Sequence, residues 1–144
     1  MIDGYQINTN TAAMDFDLIY GFISESYWAK GIPRETLKRA LSNSLCFGVF
    51  TDSGFQIGFA RVITDSATYA YLSDVFILKE HRGLGLSKWL IQTILYHPEL
   101  QGLRRIGLAT QDARGLYEQF GFNLLSHPDR FMEIWNPDVY QKRK

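Results

Sequence analysis

The chain has 144 residues, 46% of them hydrophobic and 21% charged, and its 15 Lys+Arg balance 15 Asp+Glu to a formal net charge of zero. That length suits one domain, 1–144, with a real core, and the neutral balance argues against a general nucleic-acid binder. A single cysteine, Cys46, excludes an intrachain disulfide and a cysteine-based metal cluster. The opening stretch MIDGYQINTN lacks the basic start and apolar core of a secretory signal. No apolar run approaches the roughly 20 residues that span a bilayer. The expectation is a cytoplasmic protein with neither a membrane nor a nucleic acid as partner. In chain order, GYQINT (4–9) reads as a first strand. MDFDLIYGFISES (14–26) sets Met14, Leu18, Ile19 and Phe22 at helical spacing. PRETLKRALSNS (33–44) reads as a second helix, with Pro33 in its first turn. LCFGVF (45–50) and FQIGFARVIT (55–64) are rich in aromatic and β-branched residues. Between them lies TDSG, with Asp52 and Gly54 as turn formers, so the pair reads as a hairpin. Cys46 falls in this apolar run and reads as a buried thiol.

ATYAYLSDVFIL (67–78) is a further strand. LSKWLIQTILYH (86–97) is a helix with Leu86, Leu90 and Ile94 on one face, ended by Pro98. RRIGLAT (104–110) is a strand, and QDARGLYEQF (111–120) a helix with Ala113, Leu116, Tyr117 and Phe120 on one face. Gly121 suits a left-handed cap at its end. FNLL (122–125) and FMEIW (131–135) read as closing strands. The order predicts an α/β (α+β) protein with a mixed central sheet flanked by helices, not the regular alternation of a doubly wound fold.

The turn KEHRGLG between the third long strand and the helix 86–97 is the most informative stretch. A helix start leaves backbone N–H groups without partners, and with the helix dipole these attract anions. Gly83 and Gly85 permit close approach of a ligand to the backbone, and Arg82 and Lys88 add positive charge. A plain strand-to-helix turn is the alternative reading. The G-x-x-x-x-G-K-[ST] loop is absent, and the G-x-G-x-x-G fingerprint fails at Lys88.

HRGLGLS resembles the [RQ]-x-x-G-x-[GA] signature of the GNAT superfamily of N-acetyltransferases, with Arg82 first, Gly85 fourth and Ser87 sixth, where Gly or Ala is usual. The helix TQDARGLYEQFGF resembles a second landmark of that family, N-x-x-A-x-x-L-Y-x-x-x-G-F. Ala113, Leu116, Tyr117, Gly121 and Phe122 match, and Thr110 stands where Asn is common. The resemblance implies a GNAT fold, in which two central strands splay apart to admit acetyl-CoA. Here they would be the strand ending near Leu78 and RIGLAT. It implies that the pyrophosphate of acetyl-CoA rests on the backbone of Gly83, Leu84, Gly85, Leu86 and Ser87 beside Arg82. The pantetheine arm would lie along Val75, Phe76 and Ile77, and backbone N–H groups around Ile77 would polarise the thioester.

Acyl transfer from a thioester expels a thiolate. A phenol near its ordinary pKa of about 10 stays protonated at neutral pH and can donate a hydrogen bond or proton to the departing sulfur; by resemblance, Tyr117 is that group. The attacking amine must lose a proton. Asp74, expected on the strand face opposite Val75 and Ile77, and Glu25, between the first two helices, are the candidate bases. In polyamine-acetylating relatives two adjacent acids occupy this part of the strand; here the first is Ser73. Glu25, Tyr27 and Trp28 are expected at the acceptor pocket. No His/Asp/Glu spacing suggests a metal, and no G-x-S-x-G elbow suggests a serine hydrolase. The reading is an acetyl-CoA-dependent N-acetyltransferase acting on a small-molecule or protein amine by direct attack in a ternary complex. The alternative is a non-catalytic acyl-CoA-binding sensor of the same fold. Monomer and homodimer are both open.

Overall fold

The computed structural model describes residues 1–141. Five strands form one sheet in the order β1 (Tyr5–Asn8), β2 (Leu45–Thr51), β3 (Gln56–Thr64), β4 (Tyr69–Ile77) and β5 (Arg105–Leu108). Neighbours are antiparallel as far as β4, and β4 and β5 run parallel. The helices are α1 (Phe16–Ile23), α2 (Arg34–Ser42), α3 (Leu86–Tyr96) and α4 (Arg114–Glu118).

Each face of the sheet carries its own core. On one face Ile19 and Ile23 of α1 and Leu37 and Leu41 of α2 meet Cys46, Phe59 and Phe76. On the other, Leu86, Leu90, Ile91 and Ile94 of α3 cover Phe47, Val49, Val62, Ala70, Leu72 and Ile77. The periodicity expected for α3 therefore holds, with Ile91 added to the buried stripe. In α1 the deep positions are Ile19 and Ile23; Phe22 stacks on Phe76 with ring centroids 4.0 Å apart. Helix α1 starts at Asp15, whose carboxylate accepts from the Leu18 N–H, a side-chain cap for one of the free donors. Pro33 sits one position earlier than expected, as the N-cap of α2.

Two expectations need correction. The helix expected over 111–120 is confined to Arg114–Glu118, because Thr110 caps its approach and Gly115 weakens its interior. The expected strands 122–125 and 131–135 pair with nothing among the described residues. Both segments have strand-forming side chains, but a strand also needs a hydrogen-bonding partner.

The sheet is broken at one place that matters. On β4, Ala70 and Leu72 face α3, and so does Ile77, an odd-numbered position after two even ones. The reversal comes from a bulge: Arg61 pairs with Ser73 and Phe59 with Phe76, leaving an extra residue on β4. Asp74 has φ +56, in the left-handed region that aspartate tolerates better than most residues. Strict alternation from Leu72 would aim Asp74 into the α3 core; the bulge turns it to the α1 face with Phe76.

Candidate active site

The β4–β5 pairing runs from Tyr69↔Arg105 to Leu72↔Leu108 and stops. Beyond Leu72, β4 continues to Ile77 with β3 as its only partner, and β5 gives way to the loop 109–113. The parting expected between these strands is therefore present. It holds a cavity of about 390 Å³ lined by Tyr71, Ser73, Asp74 and Val75 on one wall and by residues 109–113 and Tyr117 on the other. Tyr27 and Trp28, from the segment after α1, complete the lining.

Asp74 is the most constrained side chain here. Its Oδ1 accepts a 2.7 Å bond from Trp28 Nε1, and its Oδ2 accepts one of 2.7 Å from Arg61 Nε. The side chains of Arg61 and Asp74 are 15% and 3% exposed, so this is a buried ion pair, and Arg61 Nη1 also donates to Ser44 Oγ at 3.3 Å. Losing one member of such a pair is costly because the other stays buried and uncompensated. The pair holds the Trp28 indole at the cavity wall. Tyr27 packs edge-on against Trp28, 5.1 Å between centroids, and its hydroxyl accepts from the Gln111 N–H at 3.2 Å. That bond ties the segment after α1 to the loop after β5 across the mouth. Glu25 is exposed in the turn after α1 and is not among the lining residues.

Tyr117 projects from α4 and is 8% exposed, its ring edge-on to Phe122 at 5.8 Å. Burial pushes its phenol up to about 12, and the neighbouring Tyr27 and Asp112 oxygens reinforce the shift. Thr110 Oγ1 accepts from the Ala113 N–H at 3.0 Å, so this hydroxyl serves the turn into α4. The left-handed Gly121, φ +91, closes that helix, with the Phe122 N–H returning to Tyr117 O at 3.3 Å.

The glycine turn follows β4 through a single 3-10 turn, Lys79–His81. Arg82 Nε donates to Ile77 O at 2.9 Å, and Tyr5 Oη and His81 Nδ1 lie 2.7 Å apart; the two contacts fasten the turn to β4 and β1. Gly83 and Gly85 have φ +84 and +82, and Gly85 is the N-cap of α3 with no side-chain capping bond. The intrahelical ladder opens with the Trp89 N–H on Gly85 O, so the donors of Leu86, Ser87 and Lys88 are the ones such a helix start leaves free. A Cβ at Gly83 would meet nothing within 4 Å, so this backbone is open to an approaching anion. Leu84 is exposed, Leu86 is buried in the α3 core and Ser87 is half-buried. Val75 packs towards α3 and lines the cavity, and Phe76 gives its ring to the α1 face. The amide of Leu78 is already bound to Ile57 O at 2.8 Å, and Ile77 stands opposite Gly58. Those contacts lie on the β3 side; on the side of β5 the pairing ends at Leu72, so Val75, Phe76 and Ile77 have no β5 partner.

Cys46 is buried among α1 and α2 residues, its thiol pushed up to about 11 by burial, and it does not line the cavity. Among the described residues no group of three His, Cys, Asp or Glu side chains could hold a metal ion. Arg61, Tyr71 and Asp112 were not anticipated. Arg61 had a readable signal, a lone charge inside the apolar run FQIGFARVIT, which needs a partner once buried. Tyr71 and Asp112 carried none, since strand facing and loop geometry place them.

Residues 42–124 match the family model described as "Acetyltransferase (GNAT) domain". A crystal structure of a candidate GNAT-family acetyltransferase from Xanthomonas campestris pv. campestris is 47% identical. The match covers 99% of this chain and 100% of that one, at a TM-score of 0.94. A candidate acetyltransferase of Gibberella zeae is 34% identical over 83% of this chain and 77% of its own length. Glucosamine-6-phosphate N-acetyltransferase from Arabidopsis thaliana, at 13% identity, shares the fold with a TM-score of 0.62, covering 92% of this chain and 97% of that one.

Proposed function

This chain belongs to the GNAT family of acetyltransferases, and on that footing we propose that it transfers the acetyl group of acetyl-CoA to a primary amine by direct attack in a ternary complex. One observation carries the reading: a protonated phenol, Tyr117, lines the gap between β4 and β5, and β4 leads through a short turn to the open helix start of α3. The free donors of Leu86, Ser87 and Lys88 and the exposed backbone of Gly83 suit the pyrophosphate, and the unpaired edge of β4 from Val75 to Ile77 suits the pantetheine arm.

The amine nitrogen bonds to the thioester carbonyl carbon as the carbon–sulfur bond breaks. Tyr117 donates a hydrogen bond to the departing sulfur. With the phenol near 12 and an ordinary thiol near 8.5, complete proton transfer would be uphill by about 5 kcal/mol. The role is therefore hydrogen bonding to developing charge rather than delivery of the proton. We assign the amine proton to Asp74, which lines the cavity together with Asp112. Each Asp74 oxygen accepts one bond and keeps a further lone pair. Glu25 lies outside the lining and is the weaker choice. A cavity of about 390 Å³ is at the small end of ligand sites and favours a small amine or a single amine-bearing side chain. Tyr27 and Trp28 form its aromatic wall.

The test is acetyl-CoA with a panel of amines, read as release of the CoA thiol. Tyr117→Phe should lower kcat by about a hundredfold or more while CoA affinity stays within about threefold. A fully active Tyr117→Phe would remove the acid role. Tight acetyl-CoA binding with no turnover of any amine would favour the sensor reading.

A further inference from the structure

Resting on the acetyl-transfer reading, we propose that the acceptor is a small primary amine with a second positive charge, received by Asp112 and the aromatic wall. Amines that carry a carboxylate or phosphate are turned away. The charged side chains lining the cavity are Asp74 and Asp112, on opposite walls, and among the described residues no Lys, Arg or His lines it. Arg61 is taken up by its ion pair with Asp74. Arg114, two positions beyond Asp112, lines the neighbouring groove instead. Asp112 is exposed and has no cationic partner among the described residues, so it leaves the cavity with a negative charge that nothing offsets.

Phenols on the two walls feel that charge. Burial raises Tyr117, and after Tyr27 the Asp112 carboxylate adds to the shift. Burial also raises Tyr71, followed by Tyr69, and there Asp74 raises the phenol more than Arg61 lowers it. The aromatic rings act in the same sense. Tyr27, Trp28 and Tyr71 all line the cavity, and the faces of such rings attract a cation that has shed part of its water. Tyr27 and Trp28 keep 55% and 42% of their surface open, enough to receive one.

The reacting nitrogen is not that cation, because it must be neutral when it attacks. A second ammonium elsewhere in the acceptor is. A carboxylate or phosphate in its place would meet Asp74 and Asp112 with no cation lining the cavity to pair with, and like charges repel more strongly where water is partly excluded. Selection therefore works by attraction and by repulsion together.

Putrescine, pentylamine and γ-aminobutyrate present the same reacting amine with an ammonium, a methyl or a carboxylate at the far end. At saturating acetyl-CoA, kcat/KM for putrescine should exceed that for pentylamine by at least about tenfold and that for γ-aminobutyrate by at least about a hundredfold. The putrescine advantage should shrink between about 0.05 and 0.5 M salt. Asp112→Asn should cut the putrescine-to-pentylamine ratio at least about threefold, the range of one exposed ion pair. A variant that slows both amines equally would place Asp112 in the chemistry rather than in selection and overturns the proposal, as does an unchanged ratio. Calorimetry of the same three amines against the protein saturated with CoA reads selection without turnover. Binding that favours putrescine with no acetylation of any amine supports the selection and overturns acetyl transfer. Equal acetylation of all three, or a preference for γ-aminobutyrate, leaves acetyl transfer standing and overturns the selection.

Discussion

Replacing Arg61 with Met tests the electrostatic frame of the cavity most directly. Met keeps much of the apolar stem and deletes the guanidinium, so Asp74, 3% exposed, retains only the bond from Trp28 Nε1. Removing one partner of a buried pair costs about 3–5 kcal/mol, and the surviving indole bond puts this case near 3. In urea, at about 1–3 kcal/mol per molar for a chain of this class, the midpoint should fall by about 1–3 M. Arg61→Met/Asp74→Leu removes both charges together and should recover most of that loss, giving a coupling energy of about 2 kcal/mol in the double-mutant cycle. Trp28→Phe supplies the functional arm: it keeps an aromatic wall but drops the bond to Asp74, and should raise the acceptor KM while leaving the acetyl-CoA KM alone. An Arg61→Met midpoint within about 0.3 M of wild type would refute the claim that this pair holds the cavity wall.

Cys46, with its thiol pushed up to about 11 by burial, should resist a thiol reagent at pH 8 in the native chain and react promptly once urea unfolds it; equal rates would contradict its burial. Tyr117 has a folded-state pKa near 12 against about 10 when unfolded. The unfolded chain therefore gives up this proton first, and the stabilisation is full below pH 10 and lost as pH rises towards 12. Tyr117→Phe should flatten that alkaline loss by up to about 2–3 kcal/mol, followed by denaturation at several pH values, whereas identical pH profiles would remove the shift. Ser87→Trp crowds the donors at the start of α3 and should raise the acetyl-CoA KM at least about tenfold with the amine KM unchanged; normal CoA binding would defeat the pyrophosphate assignment.

The mixed sheet, its central hairpin and the α3 stripe were legible because they rest on local periodicity and turn chemistry. Leu86, Leu90 and Ile94 repeat at helical spacing and are all buried, and the hairpin turn at Asp52 and Gly54 stands where its residue types require. The glycine turn was legible for a similar reason, since Gly83 and Gly85 both take the positive φ that glycine favours. What periodicity cannot supply is a partner. The segments 122–125 and 131–135 have the side chains of strands, but nothing in their own pattern says which edge they meet. Arg61 and Asp74 lie thirteen positions apart on adjacent strands, and their ion pair depends on a register shift that no alternation rule contains.

That register shift links the features of the cavity. A bulge adds one residue and increases the local twist of its strand. Placed at Asp74, it comes just past Leu72, where β5 stops following β4, so β4 turns away as the pairing ends and the gap opens there. The same left-handed residue swings its carboxylate from the α3 core to the α1 face, where Arg61 neutralises it and Trp28 closes over it. It also leaves Asp74 and Val75 without partners on β3. A regular β4 would lose all three effects at once. The strained conformation at Asp74 is therefore a condition for the site, in the sense that a non-glycine residue at positive φ persists only where its surroundings hold it. Asp74→Asn keeps a side chain that tolerates this conformation and should preserve the gap while weakening the Arg61 contact. Asp74→Val, β-branched and unsuited to positive φ, should cost both the bulge and the cavity.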